Sequence, residues 1–290
     1  MNIVVTFNRH PSHLVRSTIF VKRGYVLKSS NFFKSEKLLF RMLGYLELFI
    51  KIRILTNSIN EIIFVKPSNV RLVKFYSKKA SKVSFDIDDA IWSQNWLGEK
   101  LSQQLFSLAD YVYVDNNYLS NYISEKYRVK NELVYGYIPD LSHKKQLKKD
   151  KKINIGWIGS PSTSYNLFAI GEILLELDKN TNYQLFFLGI NSNGLGFIEL
   201  SNSIFVPYYD EQIMIKHLTE NFDIGIFPMF DIENNWGRGF HKLRLYLSAN
   251  VKSVVTRTKY IDNEYVNDSN VKFEKNSDFL KAIEEFANKI

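Results

Sequence analysis

The chain has 290 residues, 45% of them hydrophobic and 15% aromatic, which supports a sizeable core and argues against wholesale disorder. It holds no cysteine, which excludes a disulfide framework, a thiolate metal site and a thiol nucleophile. The formal net charge of +8 points to an anionic partner but does not choose among nucleic acid, anionic lipid and a phosphorylated substrate.

The start, NIVVTF, reads as a buried strand and not as a secretory leader. No run is long and apolar enough for a membrane-spanning helix, which needs about 20 residues. The loop Asn8-Arg9-His10-Pro11-Ser12 leads to a helix over 13–23, with Ser12 as N-cap and Gly24 as its stop, then a strand over 25–27. Phe32–Leu55 is the most apolar stretch. Lys37, Arg41, Gly44, Leu48 and Lys51 recur there at helical spacing and make a narrow stripe. Leu38, Leu39, Met42, Leu43, Leu46, Phe49 and Ile50 make a wide apolar arc. Two readings stand: a helix buried against a sheet, and a helix lying on a membrane surface.

Strands over 61–65, 82–85, 111–114 and 132–135 then alternate with helices over 69–79, 99–108 and 116–126. The segment 140–152, DLSHKKQLKKDKK, breaks the rhythm and reads as a linker. It has no interleaved aromatics or arginines, so no nucleic-acid partner is expected. A second series follows: strands over 153–158, 183–188, 204–206, 224–227 and 254–255, and helices over 165–177, 210–220, about 240–250 and 277–287. The regular alternation predicts an α/β chain of two Rossmann-like domains, 1–139 and 153–290, joined by 140–152 and facing a central cleft.

Three loops at strand ends carry candidate chemistry. In FDIDDAIW (85–92), the acids Asp86, Asp88 and Asp89 follow a strand. Asp86-Ile87-Asp88 matches the Asp-x-Asp that holds a divalent metal in one class of sugar-nucleotide transferase. It also resembles the strand-end pair of haloacid-dehalogenase-type phosphatases. The plainer alternative makes Asp86 a turn cap and Asp89 a helix cap. Gly159-Ser160-Pro161-Ser162-Thr163 can offer N–H groups and hydroxyls to a phosphate, though it is neither a Walker A loop nor GxGxxG. Trp236-Gly237-Arg238-Gly239 before a helix, with Lys242 in its first turn, also suits an anion. In the first loop, His10 or His13 is placed to contact substrate, and Arg9 or Arg16 an acceptor phosphate. Five histidines without paired spacing do not predict a zinc site.

Several stretches together resemble glycosyltransferases of the GT-B architecture, and among them the retaining family four (glycosyl transferases group 1). These are PSHLVRSTIFVKRGYVL, VSFDIDDAIW, ADYVYVDNNYLSNYISEKY, INIGWIGSPSTSYNL and FDIGIFPMFDIENNWGRGFHKLRLYLSANVKSVVT. The last is similar to the family's donor-binding segment, with Gly237-Arg238 and Lys242 in the places of its Gly-Lys and following Lys. Gly237 and Leu245 stand where many members carry two Glu, Asn250 where they carry Gly, and Lys252 where they carry Pro. Asn tolerates the left-handed backbone that the Gly would supply.

The resemblance implies retaining transfer from a nucleotide-sugar bound by 153–290 to a glycan or lipid-linked acceptor on 1–139. No metal and no cofactor beyond the donor substrate is implied. Arg238, Lys242, Gly237 and the Gly159–Thr163 loop would take the diphosphate. The segment Pro207-Tyr208-Tyr209 and Gly189 would form the base and ribose wall, and Asp88, Asp89 and His10 the acceptor side. It also implies a cytoplasmic protein of cell-surface polysaccharide synthesis, peripheral on the inner face of the plasma membrane where Phe32–Leu55 meets lipid. Two other readings stay open: metal-dependent phosphotransfer through Asp86 and Asp88, and a degenerate, transferase-like accessory subunit lacking the Glu pair.

Overall fold

The structure, a computed structural model, describes every residue except 8–10, 36, 55–57, 94–97, 140, 142–151, 197, 208–209, 261–264 and 266–267. The chain forms two compact units, Met1–Tyr137 with Gly237–Gly239, and Ile138–Trp236 with Phe240–Ile290.

The first unit runs β1 (Asn2–Thr6), α1 (Pro11–Lys22), β2 (Val26–Lys28), α2 (Leu38–Arg53), β3 (Ile59–Val65) and α3 (Val70–Tyr76). It continues with β4 (Ala80–Ile87), α4 (Gly98–Phe106), β5 (Tyr111–Val114), α5 (Asn117–Tyr122) and β6 (Asn131–Leu133). Its strands pair in parallel in the order β2-β1-β3-β4-β5-β6. Ile3–Val5 and Ile62–Val65 are wholly buried, as expected where helices cover both faces of a parallel sheet. Polar residues set the helix ends. The Asn69 and Asn116 side chains accept the Leu72 and Leu119 N–H groups, capping α3 and α5. Gly24, at φ 89°, ends α1 as its sequence position predicted. The strand order reverses between β1 and β3, so the carboxyl ends of β3, β4 and β5 form the edge where a ligand is normally met.

The second unit runs β7 (Ile153–Ile158), α6 (Gly171–Lys179), β8 (Tyr183–Leu188), β9 (Ile204–Val206), α7 (Glu211–Glu220) and β10 (Ile224–Phe227). It closes with α8 (Glu233–Trp236), α9 (His241–Ser248), β11 (Lys252–Thr256), β12 (Val271–Glu274) and α10 (Phe279–Ala287). The parallel order β9-β8-β7-β10-β11-β12 is the 3-2-1-4-5-6 order of dinucleotide-binding sheets, with the switch point between β7 and β10.

Several elements differ from the sequence reading. Helix α1 starts at Pro11, which puts Ser12 within it and not at its N-cap, and α8 stands in what read as a loop after β10. The helix expected over 165–177 starts as a 3-10 segment, Ser164–Ile170, because Tyr165 and Asn166 turn to the loop after β10, and only then becomes α6. Strand β12 was not expected. Only Val271 and Phe273 of its four residues are buried, too short an alternation to stand out.

The centre of the second sheet is built for close approach. Gly156 of β7 lies in register with Gly225 of β10. A Cβ on Gly156 would sit 2.1 Å from the Phe222 ring, and one on Gly225 2.7 Å from the Tyr246 ring. The Tyr246 hydroxyl accepts the Ile158 N–H at 3.1 Å and donates to the Ile226 carbonyl at 3.3 Å. One side chain of α9 thereby pins that helix to both strands of the switch point.

Helix α9 ends in a Schellman motif. Val251 N–H bonds Tyr246 O at 2.9 Å, Asn250 N–H bonds Leu247 O at 3.0 Å, and Asn250 takes φ 56°. The left-handed residue expected at Asn250 is therefore present. Asn250→Gly should unfold within about 0.5 kcal/mol of the parent, whereas Asn250→Val should lose about 1–2 kcal/mol through its Cβ in the left-handed region. Urea denaturation followed by circular dichroism measures both.

Candidate functional site

The carboxyl edge of the first sheet is organised by one buried cation. Arg16, on α1 and 2% exposed, donates from Nε to Asp86 Oδ2 at 3.0 Å and from Nη2 to Asp86 Oδ1. Its Nη1 donates to Asp115 Oδ1 at 2.7 Å and to the Val134 carbonyl at 2.6 Å. Helix α1 is thus bonded to the ends of β4, β5 and β6 at once. Burial works against the charge on Arg16, but Asp86 beside it outweighs that and raises its pKa. Burial pushes the Asp86 carboxyl up, and Arg16 pulls it only part of the way back.

This corrects three expectations. Arg16 is not available to an acceptor phosphate. Asp86 does not cap a turn. Both of its oxygens are held by a guanidinium, which leaves the Asp86-x-Asp88 pair without a free first carboxylate for a metal. Among the described residues, no group of three or more His, Asp or Glu side chains is placed to hold one.

Asp88 and Asp89 meet a lysine that the sequence reading did not single out. Lys66 follows β3 with φ 48°, and its ammonium lies 2.6 Å from Asp88 Oδ2 and 3.4 Å from Asp89 Oδ2. Burial alone would raise Asp88, but Lys66 and then Arg16 more than reverse it, so this carboxyl is held below the ordinary range. Asp89 goes the other way, pushed up by burial and by the charge of Asp88 against a weaker pull from Lys66 and Arg238. Among the described residues, the hydrogen bond of the Asp89 side chain is to Lys66, and not to the start of a helix. The two adjacent acids are shifted in opposite directions, Asp88 down and Asp89 up. Asp88 Oδ1 is buried with no hydrogen-bond partner among the described residues.

The segment Gly237–Gly239 belongs to this unit. Asn116 Nδ2 donates to the Gly237 carbonyl at 3.1 Å. A Cβ on Gly237 would come 2.5 Å from that of Ala90, and one on Gly239 1.5 Å from Asp115 Oδ2. These glycines serve close approach, since neither has a positive φ. Arg238 Nε is buried and without a hydrogen-bond partner among the described residues. His10 lies outside the described residues, as does Arg9. His13 has its Nδ1 3.3 Å from Thr6 Oγ1.

In the second unit, the carboxyl ends of β7 and β10 bring together the Gly159–Thr163 loop and Lys242. The Lys242 ammonium lies 4.7 Å from the centre of the Trp157 indole and 5.3 Å from that of the Phe227 ring. A Cβ on Gly159 would fall 2.0 Å from the same indole, so Gly159 makes room for Trp157. The loop spends most of its donors on itself. Gly159 N–H bonds Leu188 O at 2.9 Å, Ser160 N–H bonds Thr163 Oγ1 at 3.1 Å, and Thr163 N–H bonds Ser160 O at 2.9 Å. The Pro161 carbonyl accepts from Ser164 Oγ at 3.0 Å. The Ser160 and Ser162 hydroxyls, 2.9 Å apart, remain toward solvent. Gly189, at φ 96°, ends β8 with its N–H on Val206 O, and Tyr208 lies outside the described residues.

Two buried asparagines tie the loops after β7 and β10 together. Asn166 Oδ1 accepts from Phe230 N–H at 3.1 Å and from Asn235 Nδ2 at 3.0 Å, and Asn235 Oδ1 accepts from the Tyr165 hydroxyl at 3.1 Å. Sequence reasoning missed both, since a lone Asn in a loop carries no signal of a partner 69 positions away. Lys66, by contrast, stands directly before Pro67 at the close of an apolar strand, and was legible as a strand-end cation.

No protein-family model matches the chain, and no curated protein does. Solved structures do. A glycosyltransferase from Rickettsia africae ESF-5 superposes with a TM-score of 0.63 at 12% identity, covering 99% of this chain and 88% of that one. The Anabaena protein HepE, in complex with UDP and glucose, gives 0.61 at 10% identity over 98% of this chain and 89% of that one. A trehalose-6-phosphate synthase, solved in work on enzymatic glycosyltransfer with retention, gives 0.59 at 12% identity over 98% and 90%. Two larger chains are spanned over only 51% and 47% of their length. At these identities the likeness establishes the fold, an α/β chain of two parallel Rossmann-like sheets of the GT-B kind.

Removing the charge of Arg16 strands Asp86 in the core. Arg16→Met should destabilise the protein by about 3–5 kcal/mol, and Arg16→Met with Asp86→Asn should recover part of that loss. Chemical denaturation of the two variants and the parent measures the difference.

Proposed function

We propose that this chain is a glycosyltransferase that moves a sugar from a nucleotide-sugar donor to a glycan or lipid-linked acceptor. The reaction we assign retains the anomeric configuration and needs no metal. Its setting is cell-surface polysaccharide synthesis at the inner face of the plasma membrane.

The observation that carries the reading is the cation at the second sheet's switch point. Bond breaking at the sugar loads negative charge onto the leaving diphosphate, and a preorganised cation stabilises that charge best away from water. Lys242 stands in the first turn of α9, held over the faces of Trp157 and Phe227. No side chain caps α9, in contrast to α3, α5 and α7, which Asn69, Asn116 and Asp210 cap. An uncapped helix start with a lysine in it favours an anion. Arg238, whose Nε has no hydrogen-bond partner among the described residues, is also assigned to the diphosphate. The Ser160 and Ser162 hydroxyls are the donors that the Gly159–Thr163 loop has left to offer. Gly189 and Tyr208 are assigned to the base and ribose.

On the acceptor side we assign Asp88, Asp89 and His10. Asp88 is kept ionised by Lys66 and has one oxygen unpartnered among the described residues, which suits it to accept a bond from an acceptor hydroxyl and orient it. The rival phosphotransfer reading is weakened because Asp86 is spent on Arg16. The structural neighbours support the transferase reading through their own ligands and activities: HepE with UDP and glucose, and the synthase studied for transfer with retention.

The test is a thermal-shift panel of UDP, GDP, ADP and CMP without added metal. One nucleotide should stabilise the protein, by about 2.7 kcal/mol at one hundred times its Kd. Lys242→Ala and Arg238→Ala should each weaken that nucleotide at least tenfold, and the pair should abolish the shift. Absence of a shift with all four nucleotides would leave the accessory-subunit reading in its place.

A further inference from the structure

The first unit carries a helix that is amphipathic in the wrong direction for a protein surrounded by water. Helix α2 rests on the unit by a narrow stripe, in which Gly44, Leu48 and Ile52 are buried. The stripe is locked from both sides. A Cβ on Gly44 would come 2.6 Å from the Phe33 ring, and the Tyr45 carbonyl accepts the Tyr76 hydroxyl at 2.7 Å. The opposite face is apolar and open. Leu38 is 76% exposed, Leu39 67%, Met42 60%, Leu46 55% and Ile50 46%, and Ile54 just beyond the helix is 69% exposed. These positions recur at three- and four-residue spacing, so they form one continuous face. Phe75 of α3, 45% exposed and 5.1 Å from the Phe49 ring, extends it. Contiguous apolar surface of this kind marks an interaction site.

The charges beside that face say what covers it. Lys34, Lys37, Arg41, Lys51 and Arg53 lie on or next to α2, and Lys78 sits 5.8 Å from the Phe75 ring centre. The single acid within the helix, Glu47, is already used by Lys51 at 2.6 Å and by the Ser30 hydroxyl. Among the described residues, Lys34, Lys37, Arg41 and Arg53 make no side-chain ion pair. An open apolar face with long cations at its flanks and end, in ion pairs with no described residue except where Lys51 meets Glu47, matches the boundary of a bilayer. The acyl region takes the leucines there, and anionic headgroups take the ammonium and guanidinium groups. No helix of the described residues is long and apolar enough to cross a membrane, so the helix would lie in the surface.

We infer that α2 docks the first unit onto an anionic lipid surface, with Leu39, Met42, Leu46 and Ile50 entering the acyl boundary and the surrounding Lys and Arg residues meeting the headgroups. This extends the proposed setting of the transferase, yet it stands on α2 alone and does not need the transfer chemistry.

The experiment is flotation of the full chain with vesicles of phosphatidylcholine alone, and of phosphatidylcholine with phosphatidylglycerol at about a third of the lipid. The parent should float with the mixed vesicles, leave them as salt is raised, and stay behind with the neutral ones. Leu39→Gln with Leu46→Gln should lower binding at least tenfold. Both positions face out, so far-UV circular dichroism and the melting temperature should match the parent. The nucleotide shift, read on the same samples, should be unchanged, which separates failure of docking from failure of the transferase reading. Equal flotation of parent and variant, or no flotation with anionic vesicles, would overturn the inference. So would a parent that is dimeric by light scattering and becomes monomeric in the variant, because the face would then belong to a second copy.

Discussion

The first unit depends on one buried guanidinium. Arg16 reaches from α1 to Asp86, Asp115 and the Val134 carbonyl, joining the ends of three neighbouring strands through one side chain. Such a cluster is an expensive way to hold a sheet edge, since each ion loses its hydration, and apolar packing of equal volume would often be as stable. Its effect is on geometry. With Asp86 fixed, the backbone that follows delivers Asp88 and Asp89 to Lys66. The left-handed conformation of Lys66 is part of the same arrangement: a non-glycine residue holds φ 48° where its ammonium gains two carboxylates. The strain and the ion pairs therefore belong to one constraint.

The second unit solves the equivalent problem without charge. Paired glycines at the centre of β7 and β10 let Phe222 and Tyr246 lie directly on the sheet, and the Tyr246 hydroxyl bonds both strands. That fixes the start of α9, one turn earlier, over Trp157 and Phe227, where Lys242 projects. Two neutral asparagines then close the loops above. The difference between the units is chemically sensible for the proposed reaction. A site that must stabilise a dianionic leaving group gains from a cation held against aromatic faces. A site that must orient a neutral hydroxyl gains from an ionised carboxylate held in place.

Much of this was legible in the residues, and the limits have physical causes. Strands Tyr111–Val114, Ile153–Ile158, Tyr183–Leu188 and Ile224–Phe227 have the bounds that their apolar runs predict, because they are buried on both faces of their sheets; the exposed edge strand Ile204–Val206 also keeps its predicted bounds. The stop at Asn250 was legible because only a few residues enter the left-handed region cheaply. The role of Asp86 was not. An Asp-x-Asp at a strand end has the same sequence whether it awaits a cation from solution or already holds one from the chain. The deciding residue, Arg16, lies 70 positions away. The serine-rich loop is ambiguous in a related way: hydroxyls that can bind phosphate can equally bind groups beside them, and here Thr163 Oγ1 accepts the Ser160 N–H while the Ser160 and Ser162 hydroxyls pair with each other.

Helix α2 carries that lesson furthest. Its sequence pattern is that of any amphipathic helix, and periodicity alone does not say which face turns to the protein. The narrow stripe of Lys37, Arg41, Gly44, Leu48 and Lys51 looked like the solvent side, yet its small and apolar members, Gly44 and Leu48, are the contact with the fold. What decides the orientation is shape. Phe33 needs a position without a Cβ opposite it, and only Gly44 supplies one. Once that contact forms, the leucines on the other side stay exposed. The hydrophobic effect that would ordinarily bury them is left unsatisfied at the surface, where it is available to drive association with a non-aqueous partner.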